Sequence, residues 1–164
     1  MVLGKLFGNN KAKQERLKAP ITGKVIPIEE VPDPVFAEKM MGDGIAFVPA
    51  EGKVVAPIEA TVKQVFPTKH AIGLESNNGL EILIHIGLDT VNMKGEGFIV
   101  HVKEGDQVSI GDILVEFDLE KVEENAASTI TPMVILNRDN VKSLEKKYKE
   151  QGNAGIEEVL IASL

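Results

Sequence analysis

Two histidines, His70 and His85, lie on either side of the tetrapeptide Ser76-Asn77-Asn78-Gly79, and both flanking segments predict β-strands. An Asn-Gly pair between two apolar runs is typical of a hairpin turn. A neutral imidazole is a good nucleophile near pH 7, because its ordinary pKa is about 6.5. Two imidazoles on one face of a hairpin suit phosphoryl transfer, in which one ring accepts the group and the other donates a hydrogen bond to its oxygens.

The length of the turn decides whether the rings share a face, because side chains alternate along a strand. A two-residue loop, Asn78-Gly79, pairs Asn77 with Leu80 and makes the histidines diagonal neighbours roughly 7–8 Å apart. A four-residue loop from Ser76 to Gly79 places them directly opposite each other. Only an odd-length loop places them on opposite faces, so we expect the two rings to converge.

The neighbours of the histidines support this interpretation, although two surface histidines on a half-exposed strand are the plain alternative. One face of the second strand is apolar and must lie against a core: Ile82, Ile84, Ile86 and Leu88. Leu83 shares the other face with His85, and Gly87 removes a side chain beside the ring, so another molecule can approach it closely. Thr68 is predicted to share the face of His70, where its hydroxyl would fix the His70 tautomer. Considered by itself, Thr68 is better explained as a β-branched residue that favours a strand than as part of a site.

Composition indicates one globular domain. The chain has 164 residues, 43% of them hydrophobic, and no cysteine. The absence of cysteine excludes disulfides, thiolate metal sites and cysteine nucleophiles, and fits a reducing compartment. No run has the apolar length of a membrane span, and no secretory signal is recognisable. We therefore expect a cytoplasmic location.

Charge is distributed unevenly. Residues 1–18 carry five basic residues against Glu15, a net charge of +4, whereas the whole chain carries −7 and residues 19–164 therefore −11. An acidic body argues against nucleic-acid binding. The basic segment, with Leu6 and Phe7 near its start, suits at most peripheral contact with anionic lipid. We favour a flexible N-terminal segment over residues 1–18, followed by one domain over residues 19–164.

The remaining chain predicts many short strands separated by turns, which is typical of an all-β sandwich or barrel. The predicted strands are Gly23–Pro27, Gly44–Pro49, Lys53–Val55, Ala60–Phe66, His70–Glu75, Glu81–Ile86, Phe98–Val102, Ile113–Asp118, Thr131–Leu136 and Val159–Ser163. Short helices are predicted at Pro34–Lys39, Leu119–Ala126 and Asn140–Glu150. An internal repeat, Ala19-Pro20-Ile21 and Ala56-Pro57-Ile58, indicates a duplicated β unit.

Several other functions lack their motifs. There is no phosphate-binding loop, no dinucleotide fingerprint and no Gly-x-Ser-x-Gly elbow. We expect no cofactor and no intrinsic metal site, since a zinc ion held by this chain alone would need Glu81 or Asp89 beside the histidines. His70 and His85 can still share a zinc with a partner protein. A swinging-arm carrier modified at Lys94 is a further alternative, because the Gly-Asp turns at 105–106 and 111–112 resemble those of biotinyl and lipoyl carrier domains.

Six segments, in this order and at this spacing, carry a resemblance to a known family: Val31-Pro32-Asp33-Pro34-Val35-Phe36-Ala37-Glu38-Lys39, Gly42-Asp43-Gly44, Thr68-Lys69-His70-Ala71, Ile84-His85-Ile86-Gly87-Leu88-Asp89-Thr90-Val91, Lys94-Gly95-Glu96-Gly97 and Glu116-Phe117-Asp118. From Ala19 to Leu136 the chain closely resembles the glucose-type enzyme IIA component of the bacterial phosphoenolpyruvate-dependent sugar phosphotransferase system. The resemblance implies a compact antiparallel β sandwich of the duplicated hybrid motif type with a few short helices.

The resemblance also implies a phosphotransferase function. His85 matches the histidine that is phosphorylated on Nε2, His70 matches the histidine that stabilises the phosphoryl group, and Thr68 matches the threonine bonded to it. The implied donor is the histidine phosphocarrier protein HPr. The implied acceptor is a cysteine on the IIB domain of a glucose-type permease.

The resemblance further assigns a docking surface. An apolar patch and two acidic residues match positions that contact partners: Val35, Phe36, Met40, Met41, Phe66 and Leu83, with Asp33 and Asp89. We expect the apolar members to be exposed, and methionine suits a surface that must fit several partners. A regulatory binding module, whose partners depend on its phosphorylation state, is compatible with this function because a phosphoryl group adds about two negative charges.

Overall fold

The structure is a computed structural model that describes residues 13–164. Within that part of the chain, thirteen short strands alternate with turns. The strands are β1 Gln14–Lys18, β2 Gly23–Pro27, β3 Asp43–Pro49, β4 Lys53–Val55, β5 Ala60–Val65, β6 Ala71–Ser76, β7 Glu81–His85, β8 Phe98–Val100, β9 Gln107–Val108, β10 Ile113–Phe117, β11 Thr131–Ile135, β12 Ser143–Lys146 and β13 Glu158–Ser163. Two short α-helices, α1 Pro34–Ala37 and α2 Leu119–Asn125, accompany three 3-10 turns, Ile28–Glu30, Thr90–Met93 and Arg138–Asn140.

The strands form three sheets. The largest has seven strands in the order β2-β3-β11-β7-β6-β5-β9, and two smaller sheets have the orders β1-β13-β12 and β4-β10-β8. Neighbouring strands pair antiparallel throughout. The predicted all-β, antiparallel architecture with a few short helices is therefore confirmed.

The two faces of the large sheet carry different apolar clusters. The main core includes Phe47, Leu114 and Leu17, one from each sheet, and all three are fully buried. On the other face of the large sheet, the alternate residues of β3, β6, β7 and β11 form a second cluster. The 3-10 turn Ile28–Glu30 and helix α1 cover this second face through Ile28 and Phe36.

The internal repeat has a structural counterpart. Ala19 and Ala56 each enter a strand four residues later, at Gly23 in β2 and Ala60 in β5. Both residues exchange two backbone hydrogen bonds with a glycine-containing turn: Ala19 with Glu157 and Gly155, and Ala56 with Asp112 and Gly111. The two turns approach each other closely, since a Cβ added at Gly155 would lie 3.3 Å from the Gly111 Cα. The duplicated β unit inferred from the sequence is visible in these matched contacts.

Two predicted segments differ from the structure. The sequence predicts a helix over Asn140–Glu150, but residues 143–146 form strand β12, which pairs with β13. Glu, Lys and Leu favour a helix in isolation, but pairing with a buried strand overrides that propensity. Likewise, the segment predicted as flexible up to residue 18 contains β1, whose Leu17 is fully buried. Residues 1–12 of that segment lie outside the described part of the chain.

Candidate functional site

The hairpin that carries the two histidines has a register the sequence did not predict. His85 pairs with Ala71, Leu83 with Gly73 and Glu81 with Glu75. The Ser76 N–H donates to the Leu80 carbonyl, so the loop has three residues, 77–79. Both predicted even-length loops are therefore wrong. In this register, strict alternation along a continuous strand would place His70 and His85 on opposite faces.

The rings nevertheless meet, because His70 lies outside the strand. Strand β6 begins at Ala71, and Lys69 has a left-handed φ of 63°. This turn breaks the alternation and brings the two ring centroids to 4.8 Å, with an interplanar angle of 79°. The Ile86 N–H donates to the His70 carbonyl at 2.7 Å, which holds the backbone in place. The predicted convergence is confirmed, but the backbone turn at Lys69 produces it.

His85 lies at the end of β7, with one ring nitrogen committed. Its Nδ1 is 2.8 Å from the Gly87 carbonyl, which can only accept a hydrogen bond. The Nδ1 atom therefore carries the proton, and a neutral ring keeps an unshared electron pair on Nε2. A nitrogen with a free electron pair can act as a nucleophile.

Gly87 acts differently from the sequence prediction. It is buried and has a φ of 70°, and a Cβ at this position would lie 2.7 Å from the Thr90 Cγ2 and 2.9 Å from the Ser128 carbonyl. A side chain would thus point into the protein and not toward an incoming molecule. Glycine is required because it allows the turn that aims its own carbonyl at His85.

Thr68 contacts His70 as predicted, although it is not part of a strand. Residues 67–70 form a turn before β6, and the Thr68 Oγ1 is 2.6 Å from the His70 Nδ1. When the hydroxyl donates this hydrogen bond, a neutral His70 carries its proton on Nε2. That nitrogen can then donate a hydrogen bond to an oxygen of a bound group.

Both histidines are held neutral. Burial, and then the neighbouring His85, lowers the pKa of His70 to about 4. Burial also lowers the pKa of His85, against the opposing effects of the Gly87 hydrogen bond and the nearby carboxylates of Asp33 and Asp89. Near pH 7 both rings are therefore uncharged, a state in which each has one nitrogen with a proton and one with a free electron pair.

An aromatic ring packs close to each of the two histidines. Phe36 lies 5.1 Å from the His85 ring, and Phe66 lies 5.6 Å from the His70 ring in an edge-to-face arrangement. Phe36 and Leu83 are only 4% and 3% exposed, so their predicted exposure in a docking patch is wrong. Both belong to the apolar cluster beneath the histidines, where they shape the site.

The other predicted docking residues are accessible. Val35, Met40 and Met41 are exposed, whereas Phe66 is half-buried. Met40 and Met41 line a groove with Arg138 and Asp139 that includes neither histidine. The two predicted acidic residues lie near His85. Asp33 caps helix α1 by accepting a hydrogen bond from the Val35 N–H, and Asp89 is exposed at the start of the 3-10 turn Thr90–Met93.

Three other features considered from the sequence are a metal site, a carrier lysine and a membrane span. Within residues 13–164, no three His, Cys, Asp or Glu side chains are grouped as metal ligands would be, and Glu81 lies at the far end of the hairpin. Lys94, the residue of the carrier alternative, follows a 3-10 turn and is not at a hairpin tip. No helix among these residues is both long and apolar enough to cross a membrane.

Two buried hydroxyls near His85 have no role among the predictions from the sequence. Thr90 and Thr131 are fully buried, and both contact the turn that includes Gly87. Buried threonines directly after a glycine turn, as in Gly87-Leu88-Asp89-Thr90, are the signal that would have identified the first of them.

The fold and the site together define a small antiparallel β domain that presents a nucleophilic imidazole nitrogen beside a second, neutral histidine. The sequence model of the family described as "phosphoenolpyruvate-dependent sugar phosphotransferase system, EIIA 1" matches residues 15–141, which include both histidines. The chain belongs to this family. It is therefore a phosphoryl-carrying component of a sugar phosphotransferase system.

Individual relatives agree with this assignment. The chain is 55% identical over 159 residues to the "PTS system glucose-specific EIIA component" of Halalkalibacterium halodurans, covering 92% of each chain. It is 54% identical over 157 residues to the protein of the same name from Bacillus cereus, covering 95% of each. Among solved structures, the glucose permease IIA from Mycoplasma capricolum matches with a TM-score of 0.84 and 38% identity, covering 91% of this chain and 96% of that one.

Proposed function

We propose that His85 accepts a phosphoryl group from phosphorylated HPr and passes it to a cysteine on the IIB domain of a glucose-type permease, in the cytoplasm. The observation that carries this proposal is the hydrogen bond between the His85 Nδ1 and the Gly87 carbonyl. It leaves Nε2 as the nitrogen with a free electron pair. The naming of the relatives as glucose-specific supports glucose as the sugar.

The proposed transfer is a balanced exchange of one bond for another. The electron pair of the His85 Nε2 forms the new P–N bond, and the donor imidazole leaves with the pair of the bond that breaks. The Nδ1 proton stays on His85, where the Gly87 carbonyl and the carboxylates of Asp33 and Asp89 offset the positive charge of the phosphorylated ring. A cysteine thiolate then attacks phosphorus, the P–S bond forms as the bond between phosphorus and the His85 Nε2 breaks, and the electron pair of that bond returns to Nε2, so that His85 is neutral again.

His70 stabilises the transferred group in this proposal. Its ring centroid is 4.8 Å from that of His85, and the Thr68 hydroxyl contacts its Nδ1. With the hydroxyl as donor, the Nε2–H of His70 donates to a phosphoryl oxygen. Such oriented donors contribute mainly by stabilising the charge of the transferring group.

Partner docking is proposed for the accessible residues of the predicted docking surface, of which Met40 and Met41 line a groove that includes neither histidine. Val35, Met40 and Met41 supply exposed apolar area, Phe66 a half-buried ring, and Asp33 and Asp89 negative charge. Phosphorylation adds about two negative charges at this surface, so regulatory partners that recognise one state will be released by the other. Recovery of such partners by phosphorylated and unphosphorylated protein tests this regulatory role, and equal recovery counts against it.

The decisive experiment follows label from phosphoenolpyruvate through enzyme I and HPr to this protein. Wild type and His101→Gln should both be labelled, since His101 is exposed and paired with Glu116. His85→Gln should take up no label. His70→Gln should fail in onward transfer to the IIB domain, because the donor that stabilises the phosphoryl group is lost. Normal labelling of His85→Gln would overturn the proposal.

A further inference from the structure

Both backbone polar groups of Ile86, the residue after His85, are hydrogen-bonded. Its N–H donates to the His70 carbonyl at 2.7 Å. Its carbonyl accepts a hydrogen bond from the Thr90 Oγ1 at 2.6 Å. Ile86 and Thr90 are both fully buried, so water cannot replace either bond. The Thr90 hydroxyl therefore satisfies the carbonyl of the Ile86–Gly87 peptide, and the preceding peptide, between His85 and Ile86, is bonded to His70.

Thr90 also confines the next residue by direct packing. A Cβ built on Gly87 would lie 2.7 Å from the Thr90 Cγ2 and 2.9 Å from the Ser128 carbonyl, so the Gly87 backbone passes close to both groups. The Thr131 hydroxyl lies on the other side, 3.4 Å from the Gly87 N–H. The turn is thus packed against neighbouring groups, and within it the Gly87 carbonyl is directed at the His85 Nδ1, 2.8 Å away.

We infer that Thr90 is a positioning residue for phosphoryl transfer. Its hydroxyl fixes the Ile86 peptide and its methyl group confines Gly87, and together they aim the Gly87 carbonyl at the His85 Nδ1. The hydroxyl of Thr90 bonds the Ile86 carbonyl and not an imidazole ring, so it acts through the backbone. The link to transfer rests on the proposed function, but the effect on the His85 tautomer does not depend on it.

The physical reason lies in the imidazole ring. A neutral histidine holds one proton on either of two nitrogens, and a fixed acceptor at Nδ1 selects the Nδ1–H form. If the Ile86 carbonyl loses its donor, it is a buried acceptor without a partner, and the backbone from Ile86 to Gly87 must adjust. The Gly87 carbonyl then no longer holds the proton on Nδ1. In a fraction of the molecules the His85 ring then carries its proton on Nε2, and in that tautomer Nε2 has no free electron pair for attack.

The test compares three variants. Thr90→Val removes the hydroxyl and keeps the shape, whereas Thr90→Ser keeps the hydroxyl. Ser76→Ala is the matched control, because Ser76 is a buried hydroxyl at the other end of the same hairpin, bonded to Glu15 and the Leu80 N–H. The readouts are the ¹⁵N chemical shifts of the His85 ring, which report its tautomer, and the rate of phosphorylation by phosphorylated HPr.

We expect the His85 ring of wild type, Thr90→Ser and Ser76→Ala to hold its proton on Nδ1. In Thr90→Val we expect a mixture of tautomers and a phosphorylation rate lowered about tenfold, the scale of losing an outer hydrogen bond that orients a reactive imidazole. Thr90→Ser should stay within about twofold of wild type, since the donor is retained.

A Thr90→Val protein with the wild-type tautomer and rate would overturn the inference. So would a Thr90→Val protein that loses stability to the same extent as Ser76→Ala while its His85 spectrum is unchanged, because the role would then be structural only. Wild-type protein that is never phosphorylated would overturn the proposed function instead, and the tautomer comparison would still decide the role of Thr90.

Discussion

In the proposed phosphoryl relay, two neutral histidines perform different tasks. His85 needs a free electron pair on Nε2, and the Gly87 carbonyl secures it by holding the proton on Nδ1. His70 needs a proton on Nε2, and the Thr68 hydroxyl secures it by donating to Nδ1. The same imidazole group thus accepts the phosphoryl group at His85 and donates a hydrogen bond at His70. The hydrogen-bond partner of each Nδ1 atom, and not the residue type, determines which histidine performs which task.

Burial of His70 predicts that the protein loses stability in mild acid. The pKa of His70 is lowered to about 4 in the folded chain from an ordinary value of 6.5, so the unfolded state binds the proton more tightly. The stabilisation is complete above pH 6.5 and is lost as the pH falls toward 4. From pH 7 to pH 5, the free energy of unfolding should fall by about 2 kcal/mol because of His70 alone. The lowered pKa of His85 adds to this in the same direction.

Urea unfolding at several pH values between 7 and 5 measures this dependence. His70→Gln should remove the contribution of His70, whereas His101→Gln, which changes an exposed histidine, should keep it. The carboxylates with lowered pKa values, Glu29, Asp43 and Glu158, lose their contribution only below their ordinary range near pH 4. A His70→Gln protein with the full wild-type pH dependence would show that the imidazole is not held neutral by burial.

At the level of secondary structure, the site lies where elements end. His70 precedes β6 after the left-handed Lys69, and His85 is the last residue of β7, just before the left-handed Gly87. Within a regular strand, side-chain direction is fixed by alternation. A turn at each strand end allows the two rings to meet and leaves the strands themselves free to pack in the core.

Gly87→Ala should therefore be more damaging than the same change at an open glycine. Gly79 is a matched control, since its φ of 90° is also left-handed but a Cβ there has no neighbour within 4 Å. Gly79→Ala should cost about 1 kcal/mol of unfolding free energy, the scale of a left-handed alanine. Gly87→Ala adds a steric conflict with Thr90 and Ser128, for a total of about 3 kcal/mol. Equal losses in urea unfolding would show that the space beside Gly87 is not restricted.

The positions of ten of the thirteen strands follow from the sequence, whereas β1, β9, β12 and the geometry of the site do not. Alternation of apolar residues identifies β7 and its core face, with Ile82 and Ile84 buried as expected. The hairpin register depends on whether the loop has two, three or four residues, and Asn77-Asn78-Gly79 is compatible with each. The pairing of β12 depends on a distant strand, β13, so local propensity alone predicted a helix.

At the scale of the whole molecule, burial and charge are separated. Three sheets share one apolar core, so most carboxylates lie on the surface of a chain with a net charge of −7. Asp33 and Asp89 are close enough to His85 to influence its pKa. An acidic surface around the nucleophile attracts a basic partner before contact and raises the rate of encounter.

The negative charge around His85 predicts that the rate of phosphorylation by HPr depends on salt concentration. Asp89 is expected to be a main contributor to this dependence. Asp89→Asn removes the charge and suits the left-handed φ of 60° at this position, since asparagine tolerates that conformation. At low salt the second-order rate should fall about threefold, and the difference from wild type should vanish near 0.5 M NaCl as the charges are screened. Glu145→Gln, an exposed position on β12 in another sheet, is the control and should change the rate little. If Asp89→Asn and Glu145→Gln have equal effects, net charge guides HPr; if neither has any, electrostatic steering does not contribute.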